Sequence, residues 1–166
     1  MVPPRTYEVY SGFELHRLEA DSVVNWAVDA LVAGHDTGSL RILAGLEPPL
    51  DREEVAKLHQ KTFIELGISP PPLEAQVRFH ITSVLKRMLA GFVTRKETLS
   101  GLSHLCIARG HSRDLMDFYL LYHAICDLES GVFQYYWANA DRSNIDQVVD
   151  EYAQNWLSNN SCDEAA

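Results

Sequence analysis

Apolar runs at helical spacing recur along this chain, and most open on a capping residue and close on a glycine. Asp51 with Glu54, Thr94 with Glu97 and Ser143 with Asp146 each set a side-chain acceptor at a helix start and an acid three residues on. The first two fit the capping box, in which two orphan backbone donors are satisfied reciprocally; Asp146 stands where Glu or Gln is usual. Gly34, Gly45, Gly67, Gly91 and Gly110 follow the runs, where a left-handed residue closes a helix and glycine has no Cβ to clash. This punctuation predicts an all-α fold: a single compact domain over 1–166, a bundle of about seven helices around one buried central helix.

The apolar spacing places the helices. The first expected helix runs from about Asp21 to Ala33, with Val24, Ala27, Val28 and Leu31 inward and Trp26 flanking; a short one from Thr37 to Ala44 presents Leu40, Ile42 and Leu43. The next starts at Asp51 and stops at Gly67, lined by Val55, Leu58, Thr62, Phe63 and Leu66. Pro70, Pro71 and Pro72 read as a stiff lead-in to a helix ending near Ala90, striped by Leu73, Val77, Ile81, Val84, Leu85 and Met88. A helix from Thr94 buries Leu99, Leu102, Leu105 and Cys106. The segment from Ser112 to Leu128 is apolar nearly all round, as a helix buried on several sides must be, and is the expected central post. The last helix, about Asn144 to Leu157, turns Ile145, Val148, Val149, Tyr152 and Trp156 inward. Residues 1–20 and 159–166 are poorly defined ends; Pro3-Pro4 and the β-branched and aromatic Thr6–Tyr10 favour extension over helix.

A chain of 166 residues, 46% hydrophobic, can bury a proper core. Its formal net charge of -9 repels phosphate, which argues against nucleic acid and anionic membranes as partners. No apolar run is long enough to span a bilayer, and no charged start precedes an apolar core as in a signal peptide. Cys106, Cys126 and Cys162 are odd in number and lack CxxC spacing, so unpaired thiols and a cytoplasmic location are expected.

Chemistry-bearing patterns are few. His123 and Asp127 stand four apart on one helix face beside Cys126, two or three ligands for a small metal-dependent enzyme but short of a closed site. A core histidine bonded to a neighbour explains them equally. His35-Asp36 sits in a tight corner where Asp36 or Thr37 caps the following helix. His111, Ser112 and Asp114 are too close in sequence for a triad, and neither GxSxG nor a phosphate-binding glycine loop is present. No catalytic residue, metal or cofactor is assigned. Lys86, Arg87, Arg95 and Lys96 form a basic knot around Gly91, which complements a helix dipole or docks an acidic group.

The stretch from Gly131 to Asn139 resists both periods, with Phe133, Tyr135, Tyr136 and Trp137 crowded into five positions. It reads as a turn and short helix, or as a short strand paired with Thr6–Tyr10; the absence of any other strand favours the former. Glu129 to Asn139 resembles a short motif, roughly Asn-Gly-Gly-Phe followed by Gln, aromatics and Asn, of a family of small acidic helical bacterial proteins that includes DNA-mimic regulators. Gly131, Phe133, Gln134, Tyr135, Tyr136 and Asn139 match in kind, and Val132 departs at the second glycine. The resemblance implies a small bacterial interaction protein without catalytic residues.

The reading is therefore a non-enzymatic, protein-binding protein, immunity-like or regulator-inhibiting, whose contacts are Phe133, Gln134, Tyr135, Tyr136, Trp137 and Asn139 together with the acids Asp146, Asp150 and Glu151. A second reading uses Tyr119, Tyr122, Tyr135, Tyr136 and Trp137 to hold a small ligand in a regulator. The sequence is also compatible with a homo-oligomer.

Overall fold

The computed structural model describes residues 2–131 and 133–160. Among them are eight α-helices and no strand: α1 (Thr6–Glu14), α2 (Ala20–Val32), α3 (Gly38–Ala44), α4 (Arg52–Leu66), α5 (Leu73–Leu89), α6 (Arg95–Ala108), α7 (Arg113–Ser130) and α8 (Ile145–Asn160). The all-α expectation holds. The contacts group into two compact units, with the division inside α5 between His80 and Ile81.

Local chemistry sets most helix ends. Thr94 and Glu97 form the reciprocal capping box at the start of α6, and the Asp51 carboxylate accepts the Glu54 N–H at 2.8 Å at the start of α4. Gly67, at φ 67°, closes α4, and the Ile68 N–H then reaches back to the Phe63 carbonyl at 2.9 Å. That pair of features is the left-handed cap that glycine alone adopts without strain. The last two helix starts lack such a cap. Ser112 precedes α7 without a side-chain cap bond, and the Ser143 hydroxyl bonds the Asp141 carboxylate at 2.6 Å instead of capping α8.

In the first unit, α1, α2 and α4 share an aromatic core. Tyr10 and Phe63 lie 4.8 Å apart, Trp26 and His59 5.0 Å, and His59 and Phe63 4.9 Å. Arg52 ties the chain around this core: its guanidinium lies 4.0 Å from the Phe13 ring centroid, donates to the Leu18 carbonyl at 3.1 Å and also to the Phe13 carbonyl. Glu65 joins α4 to α3 by accepting from the Ser39 N–H at 2.9 Å and hydroxyl at 2.7 Å, contacts that hold its carboxyl below the usual range.

Two expectations fail here for one reason, the long-range demand for large apolar rings. Thr6–Tyr10 is helical, not extended, because Val9, Tyr10 and Phe13 bury themselves in this core, and packing overrides weak β-propensity. The α2 stripe is turned by one position: Val23, Trp26, Ala27 and Ala30 are buried and Val28 is exposed. An indole offers more area to bury than a valine and decides the rotation. On α4, Val55, Thr62 and Phe63 are buried as expected, Leu58 packs half-buried against the same core, and His59 is buried beside them.

In the second unit, α7 runs against α6 and turns Leu115, Phe118, Leu121, Ala124, Ile125 and Leu128 into the interior. Phe118 meets Tyr152 and Trp156 of α8 edge-on, with centroids at 5.3 and 6.1 Å. The Tyr152 hydroxyl donates to Asp117 at 2.9 Å; burial first, and this carboxylate second, push its phenol up. Cys106 and Cys126 are free thiols, burial raising the Cys106 pKa; Cys162 lies outside the described residues. No helix among the described residues is long and apolar enough to cross a membrane.

Candidate functional site in the loop after α7

Between α7 and α8 the chain is irregular yet heavily bonded, neither the short helix nor the strand expected of it. Gln134 is its hub. The side-chain oxygen accepts the N–H groups of Tyr136 and Trp137, both at 2.8 Å. The amide nitrogen donates to the carbonyls of Trp137 at 2.5 Å and Ala140 at 2.8 Å. One side chain thus replaces the backbone ladder that a helix or strand would supply.

Both ends of the loop are held as well. Arg142 donates from Nε to the Leu128 carbonyl at 2.6 Å and from a terminal nitrogen to that of Gly131 at 2.5 Å. These carbonyls at the end of α7 have no partner within the helix, and a guanidinium there also suits the helix dipole. On the α8 side, the Asp141 carboxylate accepts the Ser143 N–H at 2.7 Å, and Asn144 accepts the Asp141 N–H at 2.8 Å and donates to the Asn139 carbonyl at 2.9 Å. The Ser143 bonds hold the Asp141 carboxyl below its usual range. Asn139 adopts a left-handed φ of 62°, which asparagine tolerates better than most residues. Trp137 stands edge-on to Tyr152 at 5.4 Å.

The loop residues expected to bind therefore divide by role. Gln134, Trp137 and Asn139 build the loop, while Phe133, Tyr135 and Tyr136 project from it, 75%, 93% and 41% exposed. Tyr136 continues into a row of rings, with His123 of α7 at 5.3 Å, Tyr119 of α7 4.4 Å beyond and His111, just before that helix, 5.6 Å further. Tyr122 lies 5.4 Å from His123. His123 thus sits among aromatic rings, and among the described residues no three His, Cys, Asp or Glu side chains are placed to hold a metal ion.

Arg95 joins the expected basic knot to the expected acidic face. Arg95 of α6 reaches Asp150 of α8 and lies 3.5 Å from Asp146. Glu151 accepts from Gln147 at 2.7 Å. Lys96 pairs with Glu129, a bond that raises the ammonium pKa. Arg95 and Asp150, with Met88, Phe92, Val93 and Thr94, line an open cleft of about 400 Å³. The sequence reading missed Arg142 as a loop anchor. Its signal is a lone arginine shortly after a helix that ends on Ser130-Gly131.

Comparison with family models, curated proteins and solved structures finds no match for this chain.

Proposed function

We propose that this chain is a non-enzymatic protein-binding protein and that the loop from Phe133 to Trp137 is its contact surface. One observation carries the reading. The backbone of the loop is held by Gln134 and Arg142, yet Phe133 and Tyr135 are large rings left exposed to solvent. Rings displayed on a pre-organised backbone lose little conformational freedom on binding, and aromatic residues dominate the energetic centres of protein interfaces. The resemblance of Glu129–Asn139 to the family of small acidic bacterial interaction proteins supports the same reading. Asp146 and Glu151 on α8 are exposed carboxylates that steer a partner by charge. Replacement of Phe133 and Tyr135 by Ala tests the proposal: the partner retained by the parent chain is released while the melting temperature stays within a few degrees.

A further inference from the structure

His59 is a titratable ring enclosed by apolar ones. It is 1% exposed, and the rings of Tyr10 and Phe13 from α1, Trp26 from α2 and Phe63 from α4 lie 4.9 to 6.2 Å from it. Neither its Nε2 nor the Trp26 Nε1 has a hydrogen-bond partner. The charged and titratable groups around the cage offer no compensation for a proton. Tyr10 is a neutral phenol with Glu14 near it, the α2 group against the ring is the Trp26 indole, and the Arg52 guanidinium of α4 lies over the Phe13 ring of the cage.

We propose that the first unit carries an acid-operated latch, in which His59 takes up a proton as pH falls and the aromatic cage that joins α1 and α2 to α4 comes apart. The neutral imidazole packs as one more ring of the core. The imidazolium brings a second N–H and a full charge into a site where Nε2 has no acceptor, and such a buried charge is costly unless paired. Burial alone accordingly pushes His59 down to about 4. His80, also in the first unit and 8% exposed, is held at about 4 by burial and then by the Arg17 guanidinium, with Glu8 opposing. The two act in the same direction. An unfolded histidine titrates near 6.5, so between about 6.5 and 4 the opened unit binds more protons than the closed one. Stability of the first unit is then full above that window and falls as pH falls through it. In the second unit, His104 and His111 are exposed and His123 is half-buried, so no sealed imidazole prepares it for the same response.

The test uses the full chain with Trp137→Phe and Trp156→Phe, leaving Trp26 as the sole indole, followed by fluorescence and near-ultraviolet dichroism from neutral pH downward. A reversible change in Trp26 within the window is expected, with its midpoint about one pH unit lower in His59→Leu. A parallel magnetic-resonance titration of the histidine rings in the parent chain covers the case in which that variant does not fold. There the His59 ring should stay neutral until Trp26 changes, then titrate with it. A Trp26 signal flat down to pH 4, a midpoint moved by His80→Leu but not by His59→Leu, or a His59 ring titrating near 6.5 in the folded chain overturns the latch.

Discussion

Arg95 grips Asp150 at two points, Nε to one carboxylate oxygen at 2.9 Å and a terminal nitrogen to the other at 2.7 Å. The fork joins the start of α6 to α8 and raises the guanidinium pKa chiefly through the Asp150 bond. Two surfaces that the sequence presents as separate, one basic and one acidic, therefore neutralise each other in part. Asp150→Asn should cost roughly 0.5–1 kcal/mol of unfolding free energy, the usual worth of a well-aligned pair near the surface. Urea denaturation at low and high salt checks this, because the difference from the parent should shrink as salt screens the pair. A loss indifferent to salt would show that the fork acts by shape and not by charge.

Gln134→Ala should free the loop without loosening the unit beneath it. Amide exchange at Tyr136 and Trp137, whose N–H groups the glutamine oxygen holds, is expected to accelerate. Exchange at Leu121 and Ile125 in α7 should be unchanged. Gln134→Glu keeps the acceptor but loses both donors, so the Trp137 and Ala140 carbonyls would face a carboxylate. It should disturb the loop more at neutral pH than in mild acid.

Phe118 is fully buried and carries the contacts of α7 with Tyr152 and Trp156. Phe118→Ala should lower the unfolding free energy by about 3–5 kcal/mol, the range for removing a buried ring. Chemical denaturation measures it. Met116→Ala, at a half-buried position on the same helix, should cost clearly less, and equal costs would contradict the placement of the α7 core face.

The caps and stops were legible because each depends on a few adjacent residues: Thr94 with Glu97, Asp51 with Glu54, and Gly67 at its turn. The first unit was less legible because its core is assembled at long range. Nothing near Thr6 announces that Tyr10 and Phe13 will meet rings from α2 and α4, and nothing near His59 announces that it will be enclosed. The candidate site was legible in composition and not in form. Four aromatics in five positions marked 133–137 as unusual, but the division between Gln134 as scaffold and Tyr135 as display depends on where each backbone donor finds its acceptor.

The claim that the loop is a contact surface is tested most directly by quantitative affinity capture from native lysate with three forms of the chain: parent, Phe133→Ala/Tyr135→Ala, and Asp146→Asn/Glu151→Gln. The account predicts a protein retained by the parent and reduced at least about tenfold by loss of the two rings, as for removal of interface anchors worth more than ~1.4 kcal/mol together. The acid-to-amide form should retain it with a weaker dependence on salt. Equal retention by the parent and the ring-deleted form would contradict the account, and the exposed rings of this loop would then be ordinary surface.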